Sequence, residues 1–218
     1  MKEYFENFST LLEQEKKQAA VEYIISLLEN DKIDVTDLYL RVLTPALNSM
    51  TCPFPDKSLC VWKEHIKTAI VRTIVECCYP YVLKKRDSLN NSLKGTAVIL
   101  CPPEEYHDLG ARMAADFFTI CGYETIYIGS NTPFQDFYNA VNYIKPQVIG
   151  ISVSNYYNLV VTKKIIADLK NKVEKDVLII VGGNAFSEDS HNVTLVGADI
   201  CVQSFEDVMN LPNHTTSK

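Results

Sequence analysis

The sequence predicts an α/β protein: an N-terminal helical bundle, then a Rossmann-like or flavodoxin-like domain built on a parallel five-stranded sheet. Three observations carry this. Beyond about residue 94, short and nearly continuous apolar runs alternate with amphipathic runs of helical length, the pattern of a parallel sheet covered on both faces. Before about residue 90, apolar residues recur at helical spacing instead. Between them Lys84-Lys85-Arg86-Asp87-Ser88-Leu89-Asn90-Asn91-Ser92 is polar and aperiodic, the best boundary in the chain. The expected domains are 1–90 and 94–212.

In the first domain Ala20, Ile24, Leu27 and Leu28 line one helix that stops near Asn30-Asp31. Asp34 or Thr36 can cap the next, which carries Leu38, Val42 and Ala46, and Pro45 implies a kink or an early end. After the proline-rich stretch Cys52-Pro53-Phe54-Pro55, one long helix is expected over 57–83. Its buried stripe is read as Leu59, Trp62, Ile66, Ile70, Thr73 and Cys77. Helices joined by short loops make a small antiparallel bundle.

In the second domain the expected strands are 97–101, 125–128, 148–153, 177–181 and 199–202. Helices are expected at 107–121, 133–144, 159–173 and near 187–195. Gly122 is placed to terminate the first of these. The tail 213–218 is expected to be disordered.

Composition narrows the function. The chain has 218 residues, 47% hydrophobic and 22% charged, with a formal net charge of -6. It can bury a core, and it has no Lys/Arg-dense stripe for nucleic acid. Neither a signal-peptide h-region nor an apolar run of about 18 residues is present, so a soluble cytoplasmic protein is expected. Seven cysteines without a CxxC pair argue against a zinc knuckle or a disulfide framework. Cys101, Cys121 and Cys201 read as small core residues.

The chemistry concentrates after the first strand of the sheet, in Glu105-Tyr106-His107-Asp108-Leu109-Gly110. Strand C-termini line up at one edge of a parallel sheet, where such folds place their ligand. Ser152-Val153-Ser154 and Gly182-Gly183-Asn184 close the third and fourth strands at the same edge. Neither a GxxxxGK[ST] loop nor a GxGxxG after the first strand is present, which disfavours a nucleotide site of the usual kind. A histidine near carboxylates suits a metal ligand whose second ring nitrogen is held from behind. Glu105 and Asp108 are both candidates for that partner.

These residues and gaps resemble the cobalamin-binding domain family of methionine synthase, corrinoid methyl carriers and light-responsive regulators. Its pattern is carboxylate-x-His-x-x-Gly, then Ser-x-Leu, then Gly-Gly. The gaps here, residues 111–151 and 155–181, fit it. The resemblance covers about 94–210. Glu105 stands where Asp is usual and Ser154 where Leu is usual. The resemblance implies that His107 is the lower axial ligand of cobalt, base-off and His-on. It favours Glu105 as the carboxylate behind His107. It also implies that Tyr106, Asp108, Leu109 and Gly110 border the cofactor. Ser152, Ser154, Gly182 and Gly183 would then leave a slot for the displaced benzimidazole tail.

The same resemblance places the bundle over the upper face of the corrin. Phe54, nine residues before Glu64-His65, resembles the Trp-x9-Glu-His pattern of light-sensing adenosylcobalamin-dependent regulators, with Phe54 in the tryptophan position. This implies that Phe54, Glu64 and His65 meet the upper ligand. The expectation placed first is a non-catalytic adenosylcobalamin sensor, photoreceptor-like, acting through a protein partner or homo-oligomer. The alternative is a corrinoid subunit that carries a methyl group for a methyltransferase, with methylcobalamin as its form. No direct contact with nucleic acid or membrane is expected.

Overall fold

The computed structural model describes residues 1–51, 54–187 and 191–212. The chain divides into two compact units, Met1–Lys85 and Arg86–Lys218. The expected tail and part of the proline-rich stretch lie outside the described residues.

In the first unit, α1 (Lys2–Glu13) and α2 (Lys17–Glu29) bury Phe8, Leu12, Ala20, Ile24, Leu27 and Leu28. Asp34 caps α3 (Val35–Leu38), accepting from the Thr36 and Asp37 amides. A five-residue π-helical turn, Tyr39–Leu43, then leads into α4 (Thr44–Asn48). The wider turn reconciles Pro45 with a continuing helical path. Proline has no N–H to donate, and its ring crowds the carbonyl one turn back.

The expected helix over 57–83 is two helices, α5 (Lys57–Cys77) and α6 (Tyr79–Leu89). Pro80 is tolerated because it falls in the first turn of α6, where the amides have no intrahelical acceptor. The buried stripe of α5 is Lys67, Ile70, Val71, Ile74 and Val75. Trp62, read as core from the sequence, is 66% exposed, and Leu59 is exposed too. The reading took its phase from the N-terminal half of α5, whereas packing is set by the C-terminal half. The aperiodic segment after residue 84 is helical through Leu89. Lys84 and Lys85 there pair with Asp31 and Asp34.

In the second unit the strands are β1 (Thr96–Leu100), β2 (Glu124–Gly129), β3 (Val148–Ser152), β4 (Leu178–Gly182) and β5 (Ile200–Cys201). All pairs are parallel, in the order β2-β1-β3-β4-β5. The connecting helices are α7 (Leu109–Ile120), α8 (Phe134–Ile144), α9 (Leu159–Lys170) and α10 (His191–Val196). The chain steps from β1 outward to β2 and then back across to β3. The crevice beyond the ends of β1 and β3 is therefore the switch point of the fold.

Val98, Leu100, Ile149, Ile151 and Ile179 pack on one face with Phe134, Phe137, Ile165 and Leu169. At β3, a Cβ on Gly150 would lie 2.6 Å from Ile99 Cδ1, so glycine keeps the neighbouring strand's side chain in place. Helix α7 ends as expected at Gly122. Its φ of +95° is one that L side chains rarely adopt, and Tyr123 N–H bonds back to the Phe118 carbonyl. A last helix, α11 (Phe205–Met209), was not expected. Its sequence signal is the capping box Ser204 to Asp207. Ser204→Ala should cost about 1 kcal/mol of stability by chemical denaturation.

Candidate functional site

Helix α7 cannot begin at His107, because residues 102–108 are turned into the loop after β1. There Glu105, although a carboxylate, is fully buried. Its Oε1 accepts from the His107 amide at 3.1 Å and lies 2.9 Å from His107 Nδ1. Its Oε2 accepts from the Ser154 amide at 3.0 Å, the Asn155 amide at 2.9 Å and Asn158 Nδ2 at 3.1 Å. One side chain thus ties the loop after β1 to the loop after β3, across the switch point.

Burial pushes the Glu105 carboxyl upward. The Asn155 amide, the Asn158 side chain and the two His107 groups more than offset it, so the carboxyl is held below its ordinary value. An ionised Glu105 accepts a hydrogen bond from Nδ1–H, which fixes the His107 tautomer and leaves the Nε2 lone pair for another partner. The His107 side chain is 66% exposed, with Nδ1 tied inward. The chemistry available is single-point ligation by a neutral imidazole.

The choice between Glu105 and Asp108 is settled by geometry. Asp108 Oδ2 accepts from the Tyr127 hydroxyl at 3.0 Å, and the Asp108 carbonyl is 3.3 Å from the same hydroxyl. Arg112 lies 5.7 Å from the centre of the Tyr127 ring and pairs with buried Asp116. Asp108 therefore belongs to the network that seats the start of α7. Tyr127→Phe should cost about 1 kcal/mol and increase hydrogen exchange in the first turn of α7.

Cys101, at the end of β1, is no rival ligand. Burial, with the negative charges of Asp108 and Glu105, pushes its thiol up to about 12. Among the described residues no group of three or more His, Cys, Asp or Glu side chains can hold a metal ion. A lone imidazole fits a metal whose other positions are filled by a macrocycle.

The glycines divide by role. A Cβ at Gly110 would meet nothing within 4 Å, and Gly110 is the one exposed position in the otherwise buried first turn of α7, open there to close approach. A Cβ at Gly182 would lie 2.5 Å from the Val202 carbonyl oxygen, and at Gly183 2.6 Å from that of Val153. These two let neighbouring chain segments close together rather than leave room at their own Cβ positions. Gly183 also has φ +97°. Gly183→Ala should cost about 2 to 3 kcal/mol in a denaturation experiment. Ser152 and Ser154 are half-buried at the end of β3.

Tyr106 and Leu109 flank His107, the first 66% exposed and the second buried. Asn155, Asn158 and Tyr127 escaped the sequence reading. Asn158 sits at the N-terminus of α9, where an Asn reads as a cap. Only the fold shows it facing a carboxylate from another loop.

In the helical unit, Phe54 and Glu64 line one cavity of about 130 Å³, together with Met50 and Lys67. His65 is exposed on α5 and does not line it. No helix among the described residues is long and apolar enough to cross a membrane.

Comparison with known proteins gives the family and the fold. Residues 95–211 match the family model described as the B12 binding domain. The chain is 30% identical over 129 residues to trimethylamine corrinoid protein 1 of Methanosarcina mazei, covering 59% of this chain and 58% of that protein. It is 28% identical over 181 residues to trimethylamine corrinoid protein 1 of Methanosarcina acetivorans, covering 82% of this chain and 81% of that one. The structure of the Methanosarcina barkeri monomethylamine corrinoid protein matches in fold, with a TM-score of 0.80 at 14% identity, over 95% of this chain and 96% of that one.

These relatives are named corrinoid proteins. They side with the alternative drawn from the sequence rather than with the light-sensing regulator placed first. The chain belongs to the B12-binding domain family and is a cobalamin-binding corrinoid protein.

Proposed function

We propose that the protein is the corrinoid subunit of a methyltransferase system, carrying a methyl group between partner proteins. The observation that supports it most is the buried Glu105 carboxylate holding Nδ1 of an exposed histidine at the switch point. Similarity to trimethylamine corrinoid proteins over most of the chain adds to it. Bound cobalamin supplies a cobalt that accepts a methyl group and passes it on.

In this reading His107 Nε2 would hold the cobalt of the cofactor. Glu105 fixes the tautomer and raises the basicity of the ring. Three donors on Oε2 keep Glu105 ionised and still, which holds Oε1 in place as the acceptor for Nδ1. Gly110 lets the cofactor approach the first turn of α7, beside Tyr106, Asp108 and Leu109. Ser152 and Ser154, with the backbone of Gly182 and Gly183, meet the displaced benzimidazole tail. The partner is a methyltransferase protein, and methylcobalamin is the working form.

Apoprotein mixed with hydroxocobalamin should give a base-off, His-on absorbance spectrum. The same protein, reduced and methylated, should then lose its methyl group only when a methyltransferase and a methyl acceptor are present. A light-dependent change in elution volume of the adenosyl-loaded protein, with no methyl transfer, would overturn the carrier reading in favour of a sensor.

A further inference from the structure

The loops after β3 and β4 are fastened to each other just beyond their strands. Val153 N–H donates to the Gly182 carbonyl at 2.9 Å, and Ala185 N–H donates to the Val153 carbonyl at 3.1 Å. Each loop is also held from elsewhere in the fold. Glu105 accepts from the Ser154 and Asn155 amides, and Gln203 Nε2 donates to the Gly183 carbonyl at 3.2 Å. Neither backbone can part from the other without losing several of these bonds.

One further tie is different in kind. The Tyr156 hydroxyl reaches the Asn184 carbonyl at 3.5 Å, a long bond made by a side chain that is 41% exposed. That carbonyl also accepts from Ser187 Oγ at 2.8 Å and from the Ser187 amide at 3.2 Å, so releasing Tyr156 does not orphan it. Tyr156 follows Ser154 by two residues, and Asn184 follows Gly183 by one. The bond therefore crosses between the two loops beside the Ser154 and Gly183 positions.

We infer that Tyr156 is a latch on the slot that takes the nucleotide tail, and that its hydroxyl must leave Asn184 before the tail can enter. The inference rests on the reading of Ser154 and Gly183 as tail contacts. Because both backbones are pinned, opening is a rotation of one side chain rather than a movement of a loop. Affinity for a ligand that needs the open form is reduced by the fraction of protein that is open. Only a corrinoid that carries the tail should sense the latch.

The test mixes the full-chain apoprotein with hydroxocobalamin, or with cobinamide, which has the same ring and no nucleotide tail, and follows absorbance by stopped flow. Tyr156→Phe removes the hydroxyl alone. It should speed cobalamin association about 2- to 10-fold, the effect of one hydrogen bond, and leave dissociation unchanged. Cobinamide association should stay as it is. Without any corrinoid, the variant should keep the wild-type hydrogen exchange of the Ala185 amide, since the backbone ties remain. Equal acceleration of both corrinoids, faster exchange at Ala185, or an unchanged rate with cobalamin would overturn the latch. Those results would leave the His-on spectrum of the wild type with cobinamide in place. Absence of that spectrum would instead overturn the underlying reading, and the latch with it.

Discussion

His107→Ala is expected to remove the His-on signature altogether. Cobalamin affinity should fall by at least about 100-fold, since loss of an outer partner of a metal-bound histidine alone costs about 10- to 100-fold. Cobalamin that still associates should keep its own benzimidazole on cobalt, visible as a base-on spectrum. The fold should be untouched, because the ring is two-thirds exposed and its only described hydrogen bond is to Glu105. An unchanged spectrum with full affinity would remove His107 from the ligand role.

Glu105→Leu should damage the protein in a different way, through stability first. The substitution leaves the His107, Ser154 and Asn155 amides and the Asn158 side chain without their common acceptor. Hydrogen bonds to a charged group are worth about 1.5 to 3 kcal/mol each, but water can replace some of them at the loop surface. A loss of about 3 to 4 kcal/mol is expected, read as a lower denaturation midpoint of the apoprotein.

The wild type adds a pH signature. The folded carboxyl is held below its ordinary value of 4.5. Its contribution is therefore fully present above that value and is lost as pH falls through the lower, folded value. Glu105→Gln keeps the shape without the charge. It should flatten the acid limb of the stability profile and leave the neutral plateau lower. If Glu105→Gln matched the wild type at both neutral and acid pH, the buried carboxylate would not be what joins the two loops.

Asn158 offers a finer version of the same test. Asn158→Leu removes one of three donors to Oε2 and should cost about 1 to 2 kcal/mol. In the cobalamin-loaded protein it should also shift the absorbance maximum, because Glu105 would hold the imidazole less firmly. A purely structural role would lower stability without moving the spectrum.

Much of this was legible before any coordinates. The nearly continuous apolar runs 97–101 and 148–153, set between helical patterns, read as strands buried on both faces. Their alternation with helices requires parallel pairing and puts the three loops at one edge. Glu105, His107 and Gly110 stood out because chemistry at that edge needs few residues at close spacing, and local sequence records close spacing.

What sequence periodicity could not decide was which contacts cross between distant segments. Trp62 and Leu59 share a helical stripe with Ile66 and Ile70. Whether the N-terminal half of α5 is covered depends on where neighbouring elements end, which no local pattern encodes. The residues alone left both Asp108 and Glu105 open behind His107, the resemblance favoured Glu105, and the fold brings the Tyr127 hydroxyl to Asp108 and two amides of the loop after β3 to Glu105. Asn158 is 53 residues from Glu105 along the chain and 3.1 Å away in space. Sequence by itself determined the layers, the edge and the histidine. Tertiary structure decided the carboxylate's partners, because a buried charge is satisfied by whatever donors the whole fold brings within reach.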